Sequence, residues 1–176
     1  IAPLIGAIAA GNTVVLKPSE YSKNTSNILE KIISNVFEEE LVKVFLGGPE
    51  VAKELLNLQW DYIFFTGSVS VGKIVAKQAA INLTPTTLEL GGKNPCVVDE
   101  TASVKVTAKR IVWGKFINCG QTCIAPDFLI VNKKIKEKLT LEIINQIKII
   151  YGNNPEKSDS YGCLLYTSDA ADELRS

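Results

Sequence analysis

Across residues 1–90, short β-branched runs alternate with stretches whose apolar residues recur at helical spacing. This alternation leaves very few folds open. Thr13–Leu16, Val42–Leu46, Tyr62–Phe65 and Thr86–Leu90 read as strands. Ile28, Leu29, Ile32, Ile33 and Val36 mark one helix. Pro49, after Gly47 and Gly48, suits the first turn of a second helix running to Leu56, and Gly72–Ala80 has the composition of a third. Strand–helix–strand repetition implies right-handed crossovers and a parallel sheet flanked by helices, hence an α/β fold.

The pattern pauses at Gly91-Gly92 and restarts. Cys96–Val98 and Phe128–Val131 read as strands. Val104, Ala108, Ile111 and Val112 form one helical stripe; Ile135, Leu139, Ile143 and Ile147 form another. The charge changes at the same place: net −2 over residues 1–90, +4 over 91–162 and −2 over 163–176. Lys133, Lys134, Lys136 and Lys138 read as a solvated helix face, since no aromatic residues are interleaved for stacking on bases. The 19 basic and 19 acidic side chains cancel, which argues against nucleic acid as a partner.

Two residue types are missing, and both narrow the chemistry. With no His, a Ser-His-Asp triad, a Cys-His pair and a His-ligated metal are excluded within this chain. With no Met and an apolar opening over Ile1–Gly11, the chain reads as an internal piece of a longer protein. No apolar run reaches the roughly 20 residues that span a bilayer. The four Cys, at 96, 119, 123 and 163, are too irregularly spaced for a disulfide scaffold or a zinc site, and a reducing compartment is expected. Residues 163–176 lack a period and read as a non-native or disordered tail, with no function expected at Cys163 or beyond.

Four segments can carry chemistry. Gly67-Ser-Val-Ser-Val-Gly72-Lys73 lies between a strand and a helix, where N–H groups and the helix dipole favour an anion. Its spacing matches a P-loop up to Lys73, but Ile74 replaces the hydroxyl that would hold Mg²⁺; a tight turn explains the segment equally well. Lys17-Pro-Ser-Glu20 follows the first strand, where α/β folds place ligands, or is a polar loop. Glu89 sits between Leu88 and Leu90; burial in a sheet would raise its pKa and suit it as a general base, whereas an edge carboxylate paired with Lys would give the same sequence. Cys123, after Gly120-Gln121-Thr122, is a loop thiol suited to nucleophilic attack, although most Cys are buried small hydrophobes. Cys119 and Cys123 could instead form a redox pair, outside any C-x-x-C spacing.

Taken together, Gly11-Asn-Thr-Val-Val-Leu-Lys-Pro-Ser-Glu20, Phe65-Thr-Gly-Ser68, Leu88-Glu-Leu-Gly-Gly-Lys93 and Gly120-Gln-Thr-Cys123 make the chain resemble an aldehyde dehydrogenase. The likeness runs from Ile1 to about Gly162. Leu83-Thr-Pro85, Trp113-Gly-Lys-Phe116 and Ala125-Pro-Asp127 are most similar to the class 3 and fatty aldehyde dehydrogenase branch.

The resemblance implies a Rossmann-like cofactor domain over residues 1–90 and the start of a catalytic domain over 91–162, both partial. It implies a Cys123 thiolate that attacks an aldehyde, Glu89 to activate water, and a Cys123 N–H that forms half of an oxyanion hole. Such a donor is worth roughly 3–4 kcal/mol in other enzymes. For the cofactor, NAD with NADP as the alternative, it implies Lys17 and Glu20 at the adenosine ribose, Gly67, Ser68 and Gly72 at the pyrophosphate, and Leu90 and Gly91 near the nicotinamide. Glu20 tilts the choice to NAD, because a carboxylate repels a 2′-phosphate.

The family's oxyanion Asn and its Glu-x-Phe segment have no counterpart here, so weak or no turnover is expected of this piece alone. A non-catalytic fragment and a P-loop-like nucleotide module are the rival readings. The expected partners of the parent are a medium- or long-chain aliphatic or aromatic aldehyde and a second copy of itself. Its expected location is cytoplasmic or at the cytoplasmic side of a membrane.

Overall fold

The computed structural model describes residues 1–162 and Leu164. The expectations for Cys163 and the rest of the tail lie outside the described residues. Contacts divide the chain into two compact units. One comprises Ile1–Thr66 and Ser70–Glu89; the other comprises Gly67–Val69 and the chain from Leu90.

In the first unit the opening apolar run folds as helix α1, Ala2–Ala9, with Pro3 in its first turn, where a missing N–H costs nothing. Gly11 at φ 82° then reverses the chain into β1, Val14–Leu16. Helix α2, Lys23–Val36, crosses over to β2, Val42–Val44, which pairs parallel with β1 in the register Val14↔Val42 and Leu16↔Val44. Leu4 from α1, Ile33 from α2, and Val42 and Val44 from β2 make the core, and Ile8, Val14, Leu16, Phe37 and Leu46 pack on it. Each such side chain contributes roughly 1.5–3 kcal/mol on burial.

Helix α3, Pro49–Leu56, leads to β3, Ile63–Gly67; helix α4, Val69–Ile81, leads to β4, Thr86–Leu90, which pairs with β3. Trp60 Nε1 donates to the Leu55 carbonyl at 2.6 Å, and Thr84 Oγ1 donates to the Trp60 carbonyl at 2.9 Å. These two bonds tie the turn after α3 to the start of β4.

In the second unit β5, Asn94–Val98, pairs parallel with β6, Pro126–Val131. Both strands carry Pro near their start, where no ladder N–H is required. The register slips between Asn94 and Pro95, which pair with Pro126 and Phe128. Helices α5, Val104–Phe116, and α6, Lys136–Tyr151, close the core. Val98, Ala108, Ile111 and Leu139 are buried at its centre.

Two expectations need correction. Strand β3 runs on to Gly67 and α4 already begins at Val69, so only Ser68 separates them. A P-loop needs an extended loop whose backbone wraps phosphates, and Gly72 is instead a buried residue of the first turns of α4. The P-loop-like alternative therefore fails. Glu89, expected to be buried in the sheet, is exposed. The period of two along β4 turns it away from half-buried Leu88 and Leu90, and β4 has β3 as its strand neighbour, in a two-stranded sheet.

Candidate active site

Cys123 lies on the segment that joins α5 to β6. The N-terminal part of that segment is a 3₁₀ turn, Ile117–Gly120, in which Asn118, Cys119 and Gly120 hold φ values of 51°, 57° and 77°. Left-handed backbone costs a residue with a Cβ roughly 1–2 kcal/mol, least for Asn. Side chains hold this turn in place. Asn118 Nδ2 donates to the Gln121 carbonyl at 3.1 Å, and Gln121 Nε2 donates back to the Asn118 carbonyl at 3.0 Å. Ala125 N–H then bonds the Thr122 carbonyl at 3.0 Å, closing a turn around Cys123. The thiol of Cys123 is free and the residue is exposed.

The start of β5 supports the same turn. Asn94 Nδ2 donates to the carbonyls of Cys123, at 2.7 Å, and Ala125, at 3.2 Å. Asp127 lies 3.7 Å from Lys93 Nζ and 3.9 Å from Lys115 Nζ, so loose ion pairs flank the base of the loop. Sequence reasoning missed Asn94. The available signal was an Asn-Pro pair directly after Gly91-Gly92-Lys93, at a strand start that needs a polar partner.

Cys119 is turned away into an aromatic corner. Phe116, Tyr151 and Tyr161 pack with ring centroids 5.4–6.3 Å apart, and a Cβ on Gly162 would lie 3.2 Å from Cys119 Sγ. Burial pushes the Tyr161 phenol above its ordinary range, helped by Cys119 and Tyr151.

The expected ribose residues meet in the first unit. Lys17 Nζ donates to Glu20 Oε2 at 2.8 Å and to the Pro18 carbonyl at 3.2 Å. The Lys17 hydrogen bond, with a backbone hydrogen bond next, holds the Glu20 carboxyl below its ordinary value of 4.5. Ser26 Oγ donates to the Ser19 carbonyl at 2.8 Å and fixes the loop between them.

Of the other expected residues, Gly67 and Ser68 join β3 to α4 and are half-buried. Leu90 ends β4 and Gly91 is exposed beyond it. Leu90, Gly91, Gly67, Ser68 and Cys123 belong to the second unit; Lys17, Glu20, Gly72 and Glu89 belong to the first. Among the described residues no cluster of His, Cys, Asp or Glu could hold a metal ion, and no helix is long and apolar enough to cross a membrane.

The family profile "Aldehyde dehydrogenase family" matches residues 1–175, and the chain belongs to that family of NAD(P)-dependent oxidoreductases. It is 49% identical over 165 residues to "Aldehyde dehydrogenase family 3 member B2" of Mus musculus, covering 94% of this chain and 34% of that protein. It is 48% identical over 163 residues to "4,4'-diaponeurosporen-aldehyde dehydrogenase" of Staphylococcus aureus, covering 93% and 36%. The chain thus spans about a third of the length of these relatives.

Solved structures agree in fold. "Substrate bound state of Staphylococcus Aureus AldH" superposes with a TM-score of 0.87 at 46% identity, covering 93% of this chain and 36% of that one. "Crystal structure of PnpE in complex with Nicotinamide adenine dinucleotide" gives 0.78 at 34% identity, covering 91% and 34%.

Proposed function

We propose that the protein carrying this chain oxidises an aldehyde to the carboxylic acid, with Cys123 as nucleophile and Glu89 as the base for water. The observation that carries the reading is an exposed free thiol on a turn whose backbone is fixed from two sides. The Cys123 thiolate forms a C–S bond to the aldehyde carbon, and the carbonyl π pair moves to oxygen. The Cys123 N–H stabilises the resulting oxyanion. A nicotinamide dinucleotide, when bound, would supply hydride acceptance, which would leave the substrate carbon on sulfur as a thioester. Glu89 takes a proton from water as the water oxygen attacks that thioester; the C–S bond breaks, and the acid and the Cys123 thiolate are released.

The residues present fit a nicotinamide dinucleotide. Lys17 and Glu20 lie just past the end of β1, where an ammonium and a carboxylate suit the ribose hydroxyls. Ser68 precedes α4, a 13-residue helix whose dipole favours pyrophosphate at its N-terminus. The ionised Glu20 supports NAD over NADP, because it would repel a 2′-phosphate. A medium- or long-chain aliphatic or aromatic aldehyde is the proposed substrate class, on the similarity to family 3 members.

An activated ester tests the nucleophile on this chain directly. Mixing the 176-residue protein with p-nitrophenyl acetate is expected to release p-nitrophenolate in a burst approaching one per chain, with the acetyl group on Cys123 by mass spectrometry. Cys123→Ser abolishes the burst. Glu89→Gln leaves the burst and slows deacylation by about a hundredfold. Acetyl found on Cys96 or Cys119 instead overturns the reading.

A further inference from the structure

We propose that Asn94 is a positioning residue for Cys123: its amide latches the nucleophile turn to the start of β5, in space left open by Gly92. The inference rests on Cys123 being the nucleophile. The bond to the Cys123 carbonyl is 2.7 Å long and the bond to the Ala125 carbonyl is 3.2 Å, so one side-chain NH₂ spans the turn from the nucleophile to the residue that precedes β6.

Gly92 explains why the latch can close. A Cβ there would lie 2.9 Å from the Cys123 carbonyl oxygen and 3.1 and 3.2 Å from the two amide atoms of Asn94. Any side chain at position 92 would occupy the volume in which donor and acceptor meet.

The latch has a consequence for the chemistry. Asn94 fixes the plane of the peptide that follows Cys123, while the bonds between Asn118 and Gln121 fix the backbone before it. Between these anchors the Cys123 backbone has little torsional freedom, so its N–H and the direction of its Cα–Cβ bond are held, which is what an oxyanion donor and a nucleophile on the same residue require. Without the amide, two carbonyls face an empty site and the turn is held from one side.

Asn94→Asp tests this most sharply, because it keeps the shape and replaces the donor with an acceptor aimed at two carbonyls. Gly92→Ala is the second variant; it keeps Asn94 and obstructs the latch. In each variant the Cys123 acylation rate constant with p-nitrophenyl acetate is expected to fall at least tenfold, with the half-saturating ester concentration within twofold. Amide hydrogen exchange over residues 121–125 is expected to accelerate at least tenfold, with the β5 and β6 amides from 96–98 and 129–131 unchanged.

Acylation and exchange within twofold of the unmodified chain in both variants overturn the latch and leave the nucleophile assignment standing. Faster exchange spread evenly through β5 and β6 also overturns it, since that reports general destabilisation. An unmodified chain in which Cys123 is never acylated overturns the nucleophile assignment and the positioning role with it.

Discussion

Leu139 and Leu141 stand two residues apart on α6 and are chemically identical, yet the fold treats them oppositely. Leu139 is 1% exposed, between Val98, Ala108 and Ile111; Leu141 is 68% exposed. Leu139→Ala removes about three methylene equivalents from the core, worth about 2.4 kcal/mol at about 0.8 kcal/mol each. The cavity left behind adds to this, because β5 and α5 flank the site and can close on it only in part. A total of about 3 kcal/mol is expected, within the range of about 2–5 kcal/mol for such truncations. Leu141→Ala is expected to change stability by less than about 0.5 kcal/mol. With a urea slope of about 2 kcal/mol per molar, the first substitution lowers the unfolding midpoint by about 1.5 M and the second by less than about 0.3 M. Urea unfolding followed by far-UV circular dichroism measures both, and amide exchange locates the loss. A Leu139→Ala midpoint within about 0.3 M of that of the unmodified chain refutes the packing argument. So does a loss seen in α2 and β2 alone.

Two further expectations follow from the loops. Gly120→Ala places a side chain on backbone at φ 77° and a Cβ 3.1 Å from the Lys115 carbonyl oxygen, so it should destabilise by about 1–2 kcal/mol and alter Cys123 acylation; a thermal midpoint equal to the parent's contradicts the left-handed turn. The Lys17–Glu20 pair lowers the Glu20 pKa on folding, so its stabilisation is complete above the ordinary carboxylate value of 4.5 and fades as the pH falls through the lowered folded value. For a pair this open to solvent that amounts to less than about 1 kcal/mol, and it should weaken in salt. Glu20→Gln should remove it and narrow the preference for NAD over NADP in a binding titration.

Much of the architecture was legible because it repeats. The strands at Val14–Leu16, Val42–Val44 and Thr86–Leu90 stand where β-branched runs placed them, and the stripes over α2, α5 and α6 match the helical period. Helix α1 escaped notice because Ile1–Gly11 is apolar on every side, which erases the period. Helix α4 starts at Val69, ahead of the helical composition that begins at Gly72, because β-branched Val69 and Val71 and the hydroxyl of Ser70 are weak helix formers whose sequence does not mark a helix start.

What the sequence by itself determined was the α/β class, the family, and the candidate residues Cys123, Glu89, Lys17 and Glu20, because these depend on local pattern and on the order of short motifs. Tertiary structure alone decided which of those residues have partners. It turned Glu89 to solvent, joined Lys17 to Glu20, and brought Asn94 against a carbonyl 29 residues further along the chain. The physical reason is that a side chain's environment is set by the elements that pack around it, and a parallel pair such as β5–β6 unites segments that the intervening helix keeps far apart in sequence.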